Sequence, residues 1–280
     1  MPGLSQDKPF IVTAADQLYS RSIAQLLLSA ERHGAHREYR WITYDLGFDN
    51  QTRDWLEQRF SWCDWRQVPF EDLPPHYLPA ARAYAWKPWA VWQVVEDTDA
   101  LVLSLDSAAV IKGNLAEIFD WTQAHGVYMT RGREIMRHRC EPVVMDALGY
   151  PRELDNVRER VANLVCFDPT NPIARKIVQD WEKHSRTPEL LLPKEKTVEI
   201  HMSDQALLNC LLLPQVAKGT IKLPDVDMDI SSGTPIKMLS TRNKLPPWLP
   251  MWADPFARLW YWTYKTLDQA LWRRKDRRAR

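Results

Sequence analysis

The chain has 280 residues and a net charge of only +1, with 37 Lys and Arg against 36 Asp and Glu. Its length fits one α/β domain of about 200–250 residues followed by a tail. The balanced charge excludes a globally basic nucleic-acid binder, and 45% hydrophobic with 26% charged residues excludes a disordered chain. The four Cys lie apart with no C-x-x-C pair, which predicts free thiols in a reducing compartment.

Several common functional motifs are missing from the sequence. It has 9 Gly against 20 Pro, and no G-x-G, G-x-x-x-x-G-K-[ST] or G-x-S-x-G. This excludes the usual dinucleotide fingerprint, the Walker A loop and the nucleophile elbow of hydrolases. No stretch of about 18 apolar residues exists to span a bilayer. The polar segment Met1–Pro9 runs directly into a strand, so we expect no signal peptide and a cytoplasmic protein.

Strands and helices alternate over the first four predicted elements. In chain order they are strand Phe10–Ala14, helix Ser20–His33, strand Tyr39–Tyr44, helix Asn50–Phe60, helix Arg82–Glu96, strand Ala100–Leu105 and helix Asn114–Trp121. This order is typical of βαβ units and predicts a parallel sheet.

The second half is less regular, and Arg131–Arg160 shows only weak periodicity. The elements predicted beyond it are strand Ala162–Phe167, helix Pro172–His184, helix Ser203–Leu213 with Ser203 as N-cap, and short strands at Ile221–Pro224, Val226–Ile230 and Ile236–Ser240. The composition changes near Lys244, so we predict a domain over 1–244 and a tail over 245–280.

Polar side chains follow the predicted parallel strands at their carboxyl ends, where ligands bind in such sheets. The candidate residues at these ends are Thr13, Ala14, Asp16, Tyr44, Asp45, Asp106 and Ser107. The best-defined buried strand delivers Asp106, whose carboxylate suits a divalent cation that would in turn hold a diphosphate. The alternative is that Asp106 only caps the next turn.

Five segments carry a family resemblance through their motifs and through their order along the chain. Tyr84–Phe119 (YAWKPWAVWQVVEDTDALVLSLDSAAVIKGNLAEIF) resembles the central segment of GT-A glycosyltransferases, in which a helix and an apolar strand lead to a D-x-D motif. Val161–Trp181 (VANLVCFDPTNPIARKIVQDW) is similar to their following strand and helix. His201–Asn209 (HMSDQALLN) is similar to a helix start beside the reaction centre, and FIVTAADQLY and YDLG to the first nucleotide-facing strand ends. The resemblance covers about Phe10–Lys244.

The resemblance implies a Rossmann-like mixed sheet flanked by helices. It implies transfer of a sugar from a nucleotide diphosphate donor, UDP-linked, to a hydroxyl of a glycan or glycolipid, as in polysaccharide biosynthesis. Asp106 would then serve the donor phosphates or a metal. Asp204 would act as general base on the acceptor hydroxyl, with Gln205 beside it; the alternative for Asp204 is a favourable charge in the first turn of a helix.

One position departs from the family pattern, because Ala108 stands where the second Asp of D-x-D is expected. Two possibilities follow. Asp106 binds Mn²⁺ or Mg²⁺ together with groups from elsewhere, or no metal binds and basic side chains neutralise the leaving diphosphate. The candidates for the second role are Lys87, Arg242 and Lys244. A solvated surface position is the alternative for Lys87.

The tail combines an aromatic and aliphatic surface with positive charge. The apolar members are Trp260, Tyr261, Trp262, Tyr264, Leu267 and Leu271, and the basic ones are Arg258, Lys265, Arg273, Arg274, Lys275, Arg277, Arg278 and Arg280. This combination suits an anionic lipid surface, which predicts a peripheral position on the inner face of the cytoplasmic membrane. The alternative is a C-terminal helix docked on the domain; a nucleic-acid arm has no folded basic face behind it.

Two other classes of function compete with glycosyl transfer. A phosphohydrolase with Asp106 as nucleophile would need a second acid at position 108, where Ala108 stands. A non-catalytic protein of this fold would retain a nucleotide-sugar pocket or a membrane-surface function without the chemistry.

Overall fold

The computed structural model of the chain describes residues 8–227, 235–238 and 247–248. The strands are β1 (Phe10–Ala15), β2 (Arg40–Asp45), β3 (Asp64–Gln67), β4 (Val102–Leu105), β5 (Ala109–Ile111), β6 (Val127–Ile135), β7 (Arg158–Phe167) and β8 (Ile236–Met238).

Helices fill most of the connections between these strands. They are α1 (Ser20–Arg32), α2 (Ala35–Glu38), α3 (Asn50–Arg59), α4 (Trp86–Glu96), α5 (Ala116–His125), α6 (Met136–Arg139), α7 (Pro142–Ala147), α8 (Pro172–Ser185), α9 (Pro188–Leu191) and α10 (Ser203–Ala217). Short 3₁₀ turns occur at Gln17–Tyr19, Pro75–Tyr77, Pro79–Ala81 and Arg152–Leu154.

A six-stranded mixed sheet organises the described chain, in the order β3-β2-β1-β4-β7-β6. Strands β3, β2, β1 and β4 run parallel, whereas β7 is antiparallel to both β4 and β6. The chain builds outward from β1 through β2 and β3, then returns to place β4 on the other side of β1. The order of the strands therefore reverses between β1 and β4, which is where open α/β sheets bind their ligands.

Both faces of the sheet are buried. Along β1, Ile11 and Ala15 pack into the cluster beneath α1, α3 and α5, while Val12 and Ala14 pack into the cluster beneath α4, α8 and α10. Continuous apolar strands of this kind are expected in a parallel sheet covered by helices on both faces. The predicted mixed sheet flanked by helices is confirmed.

The antiparallel half of the sheet is longer than the sequence predicts. Strand β7 begins at Arg158 rather than Ala162, and β6 occupies part of the segment with weak periodicity. Register shifts interrupt the pairing of β6 with β7 between Met129 and Ile135. These irregularities break the period-two pattern by which a strand is recognised in sequence.

The start of α10 also differs from the prediction. Ser203 is the first helical residue and not the N-cap; the cap position belongs to Met202, which makes no side-chain capping bond. Ser203 has a φ of 39°, in the left-handed region that non-glycine residues rarely adopt. The prediction of a Ser203 N-cap is therefore wrong, because the backbone turns sharply there to bring the first turn of α10 against β7.

Candidate functional site

An open, shallow cleft lies at the point where the strand order reverses. Its walls come from the carboxyl ends of β1 and β4 and from the first turns of α4. The lining residues that bear on function are Thr13, Ala14, Trp86, Lys87, Ser104 and Asp106. The hydroxyl oxygen of Thr13 is buried and has no hydrogen-bond partner in the described part of the chain.

Lys87 lies between two carboxylates. Its Nζ donates to Oδ1 of Asp106 at 2.7 Å and lies 3.8 Å from Oδ2 of Asp204. A third, longer contact of 3.4 Å joins Nζ to the carbonyl oxygen of Ala162 on β7. The Lys87 side chain is only 12% exposed. Burial alone would lower the pKa of Lys87, but the charges of Asp106 and Asp204 raise it above its ordinary value, so the ammonium stays protonated.

The backbone before Lys87 is held in an unusual conformation. Arg82 and Tyr84 both have a φ of 56°, so α4 begins at Trp86 and not at the predicted Arg82. Such strained residues persist only where surrounding structure holds them, and they concentrate at functional sites. Here they turn the chain so that the first turn of α4 presents Lys87 to the sheet.

Asp204 is a buried carboxylate in the first turn of α10. Its side chain is 7% exposed, and Oδ2 has no hydrogen-bond partner among the residues described. Burial raises the pKa of Asp204 to about 6, although the Lys87 ammonium acts in the opposite direction. The indole nitrogen of Trp181 donates to the main-chain carbonyl of Asp204 at 2.8 Å and so fixes the start of α10. A carboxylate with a pKa near 6 is suited to accept a proton at neutral pH.

Gln205 is held by β7. Its Oε1 accepts from the main-chain nitrogen of Ala162 at 3.0 Å, and its Nε2 donates to Oε2 of Glu159 at 2.7 Å. One residue therefore ties α10 to the strand whose carbonyl also contacts Lys87. In this structure the Gln205 amide has a positioning role, and no contact with the pocket is seen among the described residues.

Glu159 is a residue of this network that sequence reasoning missed. It is buried, and burial raises the pKa of its carboxyl group. Arg139 lies on its other side, with Nε 3.5 Å from Oε1. The signal that was available is Gly132 on the neighbouring strand, because the Glu159 side chain fills the space that a Cβ there would occupy.

Replacing Gly132 by Ala should disturb the whole network. The added Cβ would lie 2.5 Å from Cγ of Glu159, so Glu159 must move and release Gln205. We expect the free energy of unfolding to fall by about 1–3 kcal/mol, as for other overpacked sites. Gly113→Ala is the matched control, since its Cβ would meet nothing closer than 3.9 Å. Chemical denaturation of both variants checks this, and equal stability would contradict the packing described.

The other predicted strand-end residues have local partners. Oδ1 of Asp45 accepts from the main-chain nitrogens of Gly47 and Phe48 at 2.7 and 2.8 Å, and Oδ2 pairs with Nε of Arg53 at 2.6 Å. The Asp45 carboxylate thus stabilises the loop that follows β2. Tyr44 is buried with its ring edge-on to Trp89 at a centroid distance of 5.6 Å.

Two further predicted residues are placed beside the pocket without lining it. Asp16 accepts from the main-chain nitrogen of Tyr19 at 3.1 Å and caps the short turn that follows β1. Ser107 follows Asp106 and is buried. Of the predicted residues, Thr13, Ala14, Lys87 and Asp106 therefore line the pocket. Asp204 does not line it and lies 3.8 Å from the Lys87 ammonium.

The described side chains do not form a site for a divalent ion. Within residues 8–227, 235–238 and 247–248, no group of three or more His, Cys, Asp and Glu could hold a metal. Asp106, the predicted metal ligand, is paired with the Lys87 ammonium. The residues in this part of the chain thus do not fit the predicted Mn²⁺ or Mg²⁺.

Some predictions lie outside the described residues. These are the phosphate-binding roles of Arg242 and Lys244 and the membrane-binding surface predicted for the tail between Arg258 and Arg280. Of the tail, residues 247 and 248 are described, and the Trp248 ring lies 6.3 Å from the ring of Trp55 on α3. No helix in the described part of the chain is long and apolar enough to cross a membrane.

Comparison with known proteins gives matches among solved structures alone. No protein-family model matches the sequence, and no curated protein matches it. A solved structure of the apo form of the bifunctional glycosyltransferase WbbM is similar over 75% of this chain and 38% of its own, at 14% identity and a TM-score of 0.48. The galactosyltransferase LgtC, in complex with donor and acceptor sugar analogues, matches over 72% of this chain and 70% of its own, at 18% identity and a TM-score of 0.44.

A third similar structure is the Mn/GDP form of core-mannan synthase A from Aspergillus fumigatus. It matches over 74% of this chain and 70% of its own, at 9% identity and a TM-score of 0.49. The chain thus spans little more than a third of the first of these proteins and most of the other two. At these identities and TM-scores, what the protein does has to be argued from the site itself.

Proposed function

We propose that the protein transfers a glycosyl group from a nucleotide diphosphate sugar to a hydroxyl acceptor. The observation that carries the proposal is the Lys87 ammonium, held between Asp106 and Asp204 beside a pocket where the strand order reverses. The nucleoside would lie over the carboxyl ends of β1 and β4, and its diphosphate would meet the ammonium. The order of the five GT-A-like segments in the sequence supports the same reaction.

The chemistry follows from the two charged groups. An acceptor hydroxyl attacks the anomeric carbon and loses its proton to Asp204, while the bond from that carbon to the diphosphate oxygen breaks. Lys87 neutralises the negative charge that develops on the leaving nucleoside diphosphate. Asp106 orients the ammonium through the 2.7 Å contact. Every group in this scheme lies on a strand end or on the first turn of a helix, where position is fixed by the sheet.

We further propose a UDP-linked donor and a glycan or glycolipid acceptor. The resemblance to GT-A enzymes supports both. For the tail we propose contact with an anionic membrane surface, which would place the enzyme on the cytoplasmic face near a lipid-linked acceptor. No role for nucleic acid is proposed, since the net charge is only +1.

Binding of uridine nucleotides tests the proposal. In isothermal titration calorimetry, UDP should bind at least about tenfold more tightly than UMP or uridine, because the terminal phosphate reaches Lys87. The same titration with Lys87→Met should lose that preference, whereas Lys183→Met, an exposed lysine on α8, should keep it. Equal affinity for UDP and uridine would show that the site does not read a diphosphate.

The pKa of about 6 for Asp204 predicts opposite effects of pH on catalysis and on binding. Below pH 6 Asp204 is protonated and cannot accept the hydroxyl proton, so kcat should fall. The same protonation removes a negative charge 3.8 Å from Lys87, so UDP should bind more tightly. Measuring kcat and the UDP dissociation constant between about pH 5 and 8 checks this split. A parallel loss of both would contradict the assignment of the base.

A further inference from the structure

Three elements that are distant in sequence converge on one ammonium group. Asp106 ends β4, Ala162 lies in β7 and Asp204 begins α10, and each directs an oxygen atom toward Nζ of Lys87. The resemblance to GT-A enzymes implies a divalent cation near Asp106, yet the described acids there surround a lysine. The difference bears on which group neutralises the charge of the leaving diphosphate.

We infer that the Lys87 ammonium stands in the place of a divalent cation, so that donor binding requires no metal. The inference rests on the proposed function, because the charge to be neutralised is that of a nucleotide diphosphate. From the sequence, either a metal or a basic residue could neutralise the diphosphate. The inference assigns this role to Lys87.

The local charges disfavour a second cation. A divalent ion bound to Asp106 would lie close to an ammonium that is itself 2.7 Å from the same carboxylate, and like charges at such distances repel strongly. Mg²⁺ and Mn²⁺ also need several oxygen ligands, of which carboxylates are the strongest. At position 108 the chain offers a methyl group, since Ala108 replaces the acid expected there.

The geometry of the ammonium leaves one direction available for the donor. An ammonium has three N–H groups. One makes a short bond to Asp106, and a second makes the 3.4 Å contact with Ala162. Asp204 lies 3.8 Å away, which is beyond a hydrogen bond, so these two contacts leave the third N–H group available. A phosphate oxygen in the pocket that Lys87 lines would take this third N–H group without breaking the bond to Asp106.

Titration with Mn²⁺ alone tests this inference without any nucleotide. Followed by the electron paramagnetic resonance signal of free Mn²⁺, the full-length wild-type protein should bind no ion at this site. Lys87→Met should gain one Mn²⁺ site that the wild type lacks, because Asp106 and Asp204 are then released to act as ligands. Lys183→Met should behave as the wild type. Tight Mn²⁺ binding by the wild type that Asp106→Asn abolishes, or no gain of binding in a folded Lys87→Met protein, would overturn the inference.

UDP titrations of the wild-type protein separate this inference from the proposed function. The dissociation constant of UDP should be the same within about twofold in excess EDTA and in millimolar Mn²⁺. A loss of at least about tenfold in EDTA, restored by Mn²⁺, would show that a metal carries the diphosphate charge and would overturn the inference. Absence of UDP binding in both conditions would overturn the proposed UDP-linked donor, and the Mn²⁺ titration would still decide whether Lys87 occupies a cation position.

Discussion

Replacing Asp106 by Asn should reduce glycosyl transfer by about 10²–10³-fold, the loss typical of removing one group that stabilises developing charge. Asn has the shape of Asp and lacks its charge, so the Lys87 ammonium would lose the 2.7 Å partner that orients it toward the diphosphate. The fold should survive. The Asp106 side chain is 34% exposed, and its main-chain bonds to Asn163 and Ala109 do not involve the carboxylate.

The control for this variant is Asp120→Asn on the exposed surface of α5, which should keep full activity. Rates of transfer and thermal melting of both proteins decide the outcome. The melting transition of Asp106→Asn should correspond to a loss of no more than about 3 kcal/mol, the upper end of the range for one hydrogen bond to a charged group. Unchanged turnover would remove Asp106 from the site, and loss of the melting transition would make it a structural cap.

Asp204→Asn should separate stability from activity. The pKa of Asp204 is about 6 in the folded protein, against an ordinary value of 3.8. Keeping this carboxylate ionised at neutral pH therefore lowers the free energy of unfolding. A shift of this size corresponds to about 3 kcal/mol, because one pKa unit is about 1.4 kcal/mol. Asn carries no charge to bury, although it also gives up the attraction of Lys87. We expect stability at pH 8 that is equal to or above that of the wild type, with transfer reduced by about 10²–10⁴-fold.

The sign of the pH dependence gives a second test of Asp204. The folded state holds the proton more tightly than the unfolded state, so the contribution of this group is fully present below the unfolded pKa of 3.8 and is lost as pH rises through about 6. Urea denaturation of Asp204→Asn should lack this loss. Asp146→Asn, an exposed acid on α7, should show the wild-type profile. Identical profiles for all three proteins would show that Asp204 titrates normally.

Three of the four parallel strands, β1, β2 and β4, are predicted from the sequence within two residues at each end. Strand β1 is a run of apolar and β-branched residues buried on both sides, and such runs are recognisable without tertiary information. Strand β3 was not predicted, because Asp64–Gln67 is polar and lies at the edge of the sheet. Its strand conformation comes from pairing with β2 and not from its own residues.

The sequence predicts which residues belong to the candidate site, but it does not predict that they lie together. The resemblance to GT-A segments singles out Lys87, Asp106 and Asp204 one at a time. Their convergence depends on how α4, β4 and α10 pack, which no local pattern encodes. Glu159 was missed because β7 is extended by bulged pairing with β6, and a buried acid in an irregular strand looks like surface charge in sequence.

Release of UDP from UDP-sugars is the measurement that tests glycosyl transfer most directly. The full-length protein would be incubated with a panel of UDP-hexoses and a mixture of glycan and glycolipid acceptors in excess EDTA, and the products identified by mass spectrometry. We predict UDP and a glycosylated acceptor from the wild type and from Asp146→Asn, and neither above background from Asp204→Asn. Release of inorganic phosphate or UMP would identify a hydrolase, and no product from any donor, with or without Mn²⁺, would contradict the assignment of this site as a glycosyltransferase.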